Sequence, residues 1–303
     1  MFSHPPFLTK GDKIAIVATA RKTNREELAP FMGLAEQAGF EIVYSPQLFD
    51  EERQFAGTDQ TRSSDFQYWL DSPDVKAIIA ARGGYGTARM IDGIDFSKFS
   101  TNPKWLIGFS DFTVIHNHIN GSLKQATLHA AMPAFLKTES PPEVVQSFKE
   151  MFEVLQGAWP VYQLPQHPLN DPGPCNGVLV GGNLSVMYST MGSVSEIDTN
   201  NAILFLEDLD EYLYHIDRMM VCLKRAGKLK ALNGIIVGHM SDMHNRGTPF
   251  GKTAEEIIKE HACDLGIPLY FGFEAGHLKL NHPLIFGLEV KIENNCLTFG
   301  ALN

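Results

Sequence analysis

The sequence predicts an α/β fold in two domains, and three observations support this. The first half alternates short apolar runs with longer amphipathic stretches, a pattern typical of βαβ units around a parallel sheet. Residues 163–177 are rich in proline and glycine and contain little that could form a helix or a strand. After residue 177 the sequence again contains strand-like runs between helical stretches. We therefore predict a Rossmann-like parallel-sheet domain over residues 1–162, a linker over 163–177 and a smaller mixed α/β domain over 178–303.

The N-terminal half contains four short apolar runs that we predict to be strands. After the first of them, residues 26–39 place apolar side chains at helical spacing and end in Gly39, a common stop signal, so we predict a helix there. The third run leads into a glycine-rich turn and the fourth ends at Ser110. Open α/β sheets place their sites at such carboxyl ends of strands. The predicted strands are residues 13–18, 40–44, 77–81 and 105–109.

The same reasoning predicts a mixture of short strands and longer helices for the C-terminal half. The predicted strands are residues 178–180, 202–206, 234–237 and 288–292, and the predicted helices are residues 212–226 and 253–265.

Composition excludes several classes of protein. Of the 303 residues, 44% are hydrophobic and 20% are charged, as is usual for a globular enzyme. The net charge of −10, without a run of Lys or Arg, argues against nucleic acid and anionic membranes as partners. No apolar stretch is long enough to span a bilayer.

The cysteines predict a reducing environment. The four of them lie far apart and form no CxxC pair, so the sequence encodes neither a zinc knuckle nor a disulfide framework. Residues 1–10 lack the basic region and the long apolar region of a signal peptide. We therefore expect a cytoplasmic protein.

Residues 106–111 (LIGFSD) form an apolar strand that turns at Ser110 into a helical-looking stretch. A serine on such a turn exposes its hydroxyl, and the following backbone N–H groups can face a developing oxyanion. The hydrolase pattern G-x-S-x-G is only half met, because Phe112 replaces the second glycine. Capping preferences favour Ser110 or Asp111 as a simple helix cap. Local sequence leaves both interpretations open.

A second turn, residues 82–86 (RGGYG), follows the third predicted strand. A dinucleotide fingerprint would require glycine or alanine at position 89, where Arg89 stands. The glycines still allow close approach of backbone amides to a ligand, so this loop is a candidate oxyanion donor opposite Ser110. A tight βα turn without a chemical role is the open alternative. Residues 177–184 resemble a P-loop only superficially, since its Lys-Ser/Thr pair is missing.

Two carboxylates, Glu207 and Asp208, end the apolar run that begins at residue 202. A carboxylate at a strand end can orient a histidine and stabilise its charged form, as the third member of a catalytic triad does. A solvated strand end is the alternative. Among eleven histidines, His277 lies in a loop between strand-like runs, where catalytic histidines commonly reside, although a surface histidine is the more usual outcome.

Two groups of side chains contain residue types that could bind a metal. Neither group has a recognisable zinc-site spacing, so we expect no metal. The groups are His116 with His118, and His239 with Asp242 and His244.

Taken together, these segments resemble the LD-carboxypeptidase family of serine peptidases. The resemblance spans nearly the whole chain, and its specificity comes from seven short blocks in order, each of which is weak alone. The blocks are Gly11-Asp12-Lys13-Ile14, residues 82–86, residues 107–111, Gly181-Gly182-Asn183-Leu184, residues 206–208, residues 216–219, and Gly276-His277 with Asn281, Pro283 and Gly287.

The resemblance implies a triad in which Ser110 is the nucleophile, His277 is the base and Glu207 orients the base. It also implies that Ser110 belongs to the N-terminal domain and the other two residues to the C-terminal domain, so that the site forms at their interface. The implied reaction removes the terminal D-alanine from a murein tetrapeptide during peptidoglycan recycling. The resemblance implies no cofactor and a homodimer.

Further roles follow from the same resemblance. The backbone N–H groups of Gly84 and Asp111 are implied oxyanion donors. A carboxypeptidase must also hold a terminal carboxylate, for which Arg82 and Arg218 are the candidates. Arg218 is equally suited to brace Glu207 or the fold.

The chain departs from the family after its first strand. Residues 18–22 (ATARK) stand where relatives more often have a turn with Pro and Ser, which puts that wall of the pocket in doubt. Three alternatives remain: a peptidase similar to microcin self-immunity proteins, a non-catalytic protein that binds cell-wall peptides, and a nucleotide-binding oxidoreductase. The first would need an extra loop for which the chain has little room, and the last has a broken fingerprint at Arg89.

Overall fold

The structure, a computed structural model, describes residues 2–300 and contains two β-sheets. The first sheet has six strands in the order β11-β5-β4-β3-β1-β2, of which β11 is antiparallel to β5 and the others are parallel. Parallel strands with both faces covered are expected to be almost wholly apolar, as β1, β3 and β4 are. The strands are β1 (Lys13–Val17), β2 (Glu41–Val43), β3 (Val75–Ala80), β4 (Trp105–Gly108), β5 (Thr127–His129) and β11 (Leu284–Phe286).

Six helices pack around the first sheet or connect its strands. The first begins where the Asn24 side chain accepts a hydrogen bond from Glu27 N and ends at Gly39, whose φ of +96° is left-handed. The predicted helix at residues 26–39 is therefore confirmed. The helices are α1 (Arg25–Ala38), α2 (Asp59–Asp71), α3 (Thr87–Met90), α4 (Ser97–Thr101), α5 (Thr113–His118) and α6 (Pro142–Leu155).

The second sheet has seven strands in the order β10-β9-β8-β7-β12-β13-β6. Strands β7 to β10 are parallel to one another, whereas β12, β13 and β6 add to the edge as antiparallel strands. The mixed α/β character predicted for this half is confirmed. The elements are β6 (Val161–Gln163), β7 (Cys175–Asn183), β8 (Ala202–Leu209), β9 (Gly234–Ser241), β10 (Leu269–Phe271), β12 (Glu289–Glu293), β13 (Cys296–Phe299), α7 (Leu184–Ser189), α8 (Leu213–Arg225) and α9 (Ala254–Ala262).

Sheet membership differs in three places from the predicted division at residues 162 and 178. Strand β6 belongs to the second sheet, β7 begins within the predicted linker at Cys175, and β11 crosses from the C-terminal half into the first sheet. For β6 and β11 the physical reason is that strands of three residues carry almost no periodicity, so that tertiary packing determines their partners. The proline-rich stretch between β6 and β7 lacks regular structure, as its composition predicts.

One apolar core joins the two sheets and fixes their relative position. It contains Ile16 of β1, Leu128 of β5, Phe205 of β8 and Phe286 of β11, all fully buried. Burying each such side chain contributes about 1.5–3 kcal/mol. A polar link lies beside this core, because Asn183 N at the end of β7 donates to Thr113 Oγ1 of α5 at 3.0 Å. Strand ends from both sheets are thereby held at one cleft.

No helix in the described part of the chain combines the length and the apolar character needed to cross a membrane.

Candidate active site

Ser110 occupies a strained turn directly after β4. Its φ is +62°, a left-handed conformation that is rare for a residue with a side chain and that is typical of functional turns. A 3₁₀ turn, Ser110–Phe112, leads from it into α5. Among residues 2–300 no side chain caps this turn or α5, so the interpretation of Ser110 or Asp111 as the cap of this helix is wrong. The turn instead aims the hydroxyl into a cleft.

The structure brings Ser110, His277 and Glu207 into one hydrogen-bonded series. The Ser110 hydroxyl lies 3.1 Å from His277 Nε2, and His277 Nδ1 lies 2.7 Å from Glu207 Oε2. Because an ionised carboxylate only accepts hydrogen bonds, the Nδ1–H donates to Glu207 and leaves the Nε2 lone pair facing the Ser110 O–H. The three residues are separated by up to 167 positions in the chain, so the packing of the two sheets creates this series.

The surroundings of His277 favour its charged form. Burial by itself lowers the pKa of His277, but the charge of Glu207, its hydrogen bond and the charge of Asp208 outweigh burial, and the pKa is raised above the usual 6.5. Glu207 is fully buried, and its second oxygen, Oε1, has no hydrogen-bond partner within residues 2–300. The imidazole also packs against Phe109, with the ring centroids 4.8 Å apart. Glu207 and Phe109 therefore hold the ring in place.

The glycine-rich loop between β3 and α3 lies directly against Ser110. A Cβ atom at Gly83 would stand 3.2 Å from the Ser110 hydroxyl oxygen, so a side chain there would crowd the serine. Gly84 follows with φ of +123°, a conformation that L side chains rarely adopt. The backbone of this loop is thus the nearest wall on one side of Ser110, and the candidate oxyanion donor Gly84 belongs to it.

Asp111 ties the two turns together through its side chain. The carboxylate is buried and accepts a hydrogen bond from Thr87 N, at the start of α3, at 2.8 Å. Burial raises the pKa of Asp111, while the hydrogen bonds from Thr87 and Gly86 counteract that rise. Thus Asp111 caps the helix that follows the glycine-rich loop, and not the helix that follows Ser110.

A pocket of about 700 Å³ opens beside Ser110, at the junction of the two halves of the chain. His277 and Gly84 line it together with Arg82, but Arg82 is already engaged, since its Nη1 lies 3.2 Å from Glu27 Oε2. The other candidate for binding a carboxylate, Arg218, is exposed on α8 with its guanidinium over the Tyr214 ring, and it does not line this pocket. Arg218 therefore lies outside the pocket beside Ser110, because its helix directs it toward Tyr214.

Asp208 is the centre of a buried polar network at the far side of the pocket. Its two oxygens accept hydrogen bonds from Asn183 Nδ2 and Ser185 N, both at 2.9 Å, and from Leu209 N at 2.8 Å. Burial, reinforced by the charge of Glu207, raises the pKa of Asp208 to about 7. This carboxyl group therefore changes its charge near neutral pH.

The histidines considered as metal ligands have other roles. His116 is fully buried and bonds to Gly108 O and Thr127 Oγ1, and burial lowers its pKa to about 4. His118 lies beside Ser195 Oγ, and His244 pairs with the Asp210 carboxylate. Within residues 2–300 no group of three His, Cys, Asp or Glu side chains is arranged to hold a metal ion.

Sequence reasoning gave no individual role to five polar residues of the pocket. They are Arg21, Lys137, Asn183, Ser185 and Asp210. Arg21 follows a parallel strand at its carboxyl end, the criterion that singled out Ser110, so the same rule could have found it. No comparable signal marks Lys137, which follows a short 3₁₀ turn.

Comparison with known proteins places this geometry in a family. The model of the LD-carboxypeptidase N-terminal domain matches residues 14–130, and that of the C-terminal domain matches residues 176–292. A probable murein peptide carboxypeptidase of Bacillus subtilis is 34% identical over 284 residues, which cover 90% of this chain and 86% of that protein.

Solved structures agree with this assignment. A muramoyltetrapeptide carboxypeptidase from Oxalobacter formigenes superposes with a TM-score of 0.85 at 25% identity, covering 95% of this chain and 99% of that one. The microcin C7 self immunity protein MccF has a TM-score of 0.88 at 20% identity, with 98% of each chain covered, and so shares the fold. The two domain matches and the Bacillus relative together establish that this chain belongs to the LD-carboxypeptidase family.

Proposed function

We propose that this protein is a serine carboxypeptidase that removes the terminal D-alanine from murein tetrapeptides. The observation that supports it most directly is the series Ser110–His277–Glu207, with hydrogen-bonding distances of 3.1 and 2.7 Å. The series joins a nucleophile to a base and the base to an orienting carboxylate, which are the roles that define a triad. The relatives named as murein peptide and muramoyltetrapeptide carboxypeptidases supply the substrate class.

In the first half of the reaction, His277 Nε2 takes the proton of the Ser110 hydroxyl while the oxygen attacks the scissile carbonyl carbon. The tetrahedral intermediate carries a negative oxygen, which the N–H groups of Gly84 and Asp111 receive. When the intermediate collapses, the C–N bond breaks and His277 gives its proton to the departing amine of D-alanine. Throughout, Glu207 stabilises the imidazolium and holds its orientation.

The second half regenerates the enzyme. Water takes the place of the departed D-alanine, and His277 removes its proton as it attacks the ester carbonyl of acylated Ser110. The second tetrahedral intermediate uses the same oxyanion donors, and its collapse returns the proton to the Ser110 oxygen. The products are the free tripeptide and the unmodified enzyme. Both halves need neutral His277 at the start, so the raised pKa of this residue sets the lower pH limit of activity.

Release of D-alanine from a murein tetrapeptide tests the proposal. The wild-type protein should release one D-alanine per peptide, and Ser110→Ala should lower kcat by about 10⁶-fold while still binding the peptide. Ser122→Ala, which removes an exposed serine outside the pocket, is the matched control and should retain full activity. Intact turnover in Ser110→Ala would rule out this residue as the nucleophile.

A non-catalytic protein that binds cell-wall peptides has the same cleft and is distinguished by covalent labelling. A fluorophosphonate reacts with an activated serine, so the wild-type protein should be labelled at Ser110, whereas His277→Ala should not be. Binding of the tetrapeptide to wild-type protein without any release of D-alanine, together with absence of labelling, would favour the binding protein.

We further propose that the protein is cytoplasmic, forms a homodimer and uses no cofactor. All four cysteines are free thiols, which suits a reducing compartment. The homodimer rests on the resemblance to the family. Sedimentation velocity of the purified protein tests the dimer, and fractionation of cells that produce it tests the compartment.

A further inference from the structure

His277 lies in a segment that has no regular structure of its own. Residues 272–283 connect β10 of the second sheet to β11 of the first sheet and contain neither a helix nor a strand. Without a ladder or a helix, buried backbone needs other partners for its N–H and C=O groups. His277 nevertheless lies within hydrogen-bonding distance of both Ser110 and Glu207. The contacts that fix this histidine loop (residues 272–283) therefore bear on catalysis.

The Asn281 side chain closes the histidine loop around the catalytic residue. Its Oδ1 accepts a hydrogen bond from Gly276 N at 2.9 Å. Both residues are buried, and Asn281 is only 2% exposed. A second bond, from His282 N to Glu274 O at 2.9 Å, closes the base of the same loop. The bond to Asn281 thus fixes the backbone of the residue directly before His277.

A shift of Gly276 would disturb the contact between His277 and Glu207. Gly276 lies directly against the Glu207 carboxylate. The oxygen that it faces, Oε2, is the one that bonds to His277 Nδ1 at 2.7 Å. Because Gly276 precedes His277 in the chain and also packs on Glu207, any movement of its backbone changes the position of the base relative to its orienting carboxylate.

Asn281 is itself anchored on α6, in the N-terminal half of the chain. Asn281 N donates to Ser147 Oγ at 2.8 Å, and Ser147 is 1% exposed. The Ser147 hydroxyl donates its own proton to Glu143 O at 3.1 Å, which leaves an oxygen lone pair for Asn281. One turn later in α6, Glu150 Oε2 lies 2.7 Å from His282 Nδ1. Two neighbouring residues of the loop are therefore held by one helix of the other half.

The amide nitrogen of Asn281 takes no part in these contacts. Asn281 Nδ2 is buried and has no hydrogen-bond partner within residues 2–300. The Gly276 N–H can only donate, so the amide oxygen and not the nitrogen must face it. A leucine would fill the same space without an unpaired buried N–H, which costs free energy. The acceptor oxygen is therefore the group that this position needs.

On these grounds we infer that Asn281 is a positioning residue for His277 and that Ser147 anchors it from the N-terminal half. The inference rests on the proposed function, in which His277 is the base. Asn281 does not line the pocket beside Ser110, so it acts on the reaction only through the backbone that carries His277. A displacement of about 1 Å in a catalytic group is enough to lower the rate by about 100-fold.

Two substitutions of Asn281 separate its oxygen from its nitrogen. Asn281→Leu removes the acceptor at nearly the same size, and kcat for the release of D-alanine should fall by about 10- to 100-fold. KM should stay unchanged, because no contact with the peptide is lost. Asn281→Asp keeps an acceptor oxygen and replaces only the unused nitrogen, so it should recover most of the lost rate. Loss of activity through KM, or equal kcat in the wild-type protein and Asn281→Leu, overturns the inference.

Asn170→Leu is the matched control for Asn281→Leu. Asn170 Oδ1 also accepts a backbone hydrogen bond, from Phe271 N at 2.8 Å, and does not line the pocket. This variant should lose stability and keep kcat. A fall in kcat as large as that of Asn281→Leu would show that any lost acceptor has the same effect, which contradicts a specific role for Asn281.

Ser147→Ala tests the anchor and remains available if Asn281→Leu does not fold. It removes the acceptor for Asn281 N and leaves the Asn281 side chain in place, so kcat should fall while KM is unchanged. Its control is Ser100→Ala, since Ser100 Oγ donates to the carbonyl four residues earlier in its helix, as Ser147 Oγ does. Ser100→Ala should keep full activity. Full activity of Ser147→Ala would overturn the role of α6.

A double-mutant cycle with Glu207→Gln distinguishes positioning of the base from a general loss of structure. In Glu207→Gln the imidazole has already lost its orienting carboxylate, and residues that act as one unit are not additive. Asn281→Leu should therefore lower kcat by no more than about 3-fold in that background. The same factor of reduction in both backgrounds would show that Asn281 acts independently of His277 and Glu207.

Labelling by a fluorophosphonate separates this inference from the proposed function, because it reports on the base without a peptide. The rate of labelling at Ser110 should fall by about 10- to 100-fold in Asn281→Leu and recover in Asn281→Asp. An unchanged rate in Asn281→Leu, with D-alanine still released by the wild-type protein, would overturn the inference alone. Labelling that slows in Asn281→Leu, without release of D-alanine by the wild-type protein, would overturn the proposed substrate and support the positioning of His277.

Discussion

Gly276 lies against the carboxylate of Glu207 so closely that a Cβ atom at Gly276 would stand 2.7 Å from Glu207 Oε2. This is the oxygen that bonds to His277 Nδ1. Gly276 also has φ of +108°, a conformation that residues with side chains rarely adopt. Two independent reasons therefore favour glycine before His277. Its positive φ disfavours residues with side chains, and the Glu207 carboxylate leaves no space for a Cβ atom.

Replacing Gly276 by alanine should displace Glu207 and break its bond to His277. We expect kcat to fall by about 10²- to 10⁴-fold, the range seen when a triad loses geometry or its orienting carboxylate. Gly272→Ala is the matched control, because Gly272 also has a positive φ of +78° but its Cβ would meet nothing closer than 3.6 Å. Both variants should lose about 1 kcal/mol or more of stability from backbone strain, while only Gly276→Ala should lose activity. Equal loss of kcat in the two variants would contradict the explanation.

Glu207→Gln should change both the rate and its pH dependence. The amide keeps the size of the side chain but removes the charge that raises the pKa of His277, so burial then dominates and this pKa falls. Activity needs neutral His277, so the acid limb of kcat/KM, above pH 6.5 in the wild-type protein, should move to lower pH. The maximum rate should fall by about 10³- to 10⁴-fold because the imidazolium is no longer stabilised. A limb that stays in place or moves upward would show that Glu207 does not set the pKa of His277.

The strands that build the site could be predicted from sequence, but the short strands at the edges of the two sheets could not. Apolar runs locate β3 and β4 within two residues, and the strand-end rule then indicates Ser110 and the glycine-rich loop. Strands β6 and β11 have three residues each and join sheets that their position in the chain does not suggest. Their placement depends on packing against distant residues, which a local pattern does not contain.

For the site, local sequence left Ser110 between a helix cap and a nucleophile, and only the family resemblance joined it to His277 and Glu207. The positive φ of Ser110 and the contact of Arg21 with Gly84 are properties of the folded backbone. Arg218 shows the reverse case: its charge makes it a candidate, but its helix places it over the Tyr214 ring and outside the pocket beside Ser110. Charge and spacing indicate candidate residues, but the direction of each side chain depends on the fold.

The Asp111 side chain should matter to activity separately from its backbone. Asp111→Ala leaves the backbone N–H beside Ser110 but removes the acceptor for Thr87 N, which should loosen the glycine-rich loop. We expect kcat to fall by about 10- to 100-fold as Gly84, the proposed oxyanion donor in this loop, loses its fixed position. Stability should fall by about 1–3 kcal/mol because a buried N–H loses its partner.

Asp95→Ala is the control for Asp111→Ala. Asp95 also accepts a backbone hydrogen bond near the start of a helix, from Ser97 N at 2.9 Å. It is, however, exposed and lies away from the pocket. It should cost stability without changing kcat. Urea unfolding and steady-state kinetics on the two variants give the comparison. Full activity of Asp111→Ala would show that the loop holds its position without the carboxylate.

Asp208 should make the stability of the protein depend on pH below neutrality. Its pKa is about 7 in the folded protein against an ordinary 3.8, so between these values the folded state binds a proton that the unfolded state has released. Stability from this group is therefore complete below pH 3.8 and is lost as the pH rises to 7, by up to about 4 kcal/mol. Asp208→Asn removes the titration, so the wild-type protein should lose stability relative to this variant as the pH rises from 4.5 to about 7. Urea unfolding across that range measures the difference, and Asp264→Asn, at an exposed position, is the control. If the free energy of unfolding changed with pH in the same way for the wild-type protein and Asp208→Asn, Asp208 would not titrate there.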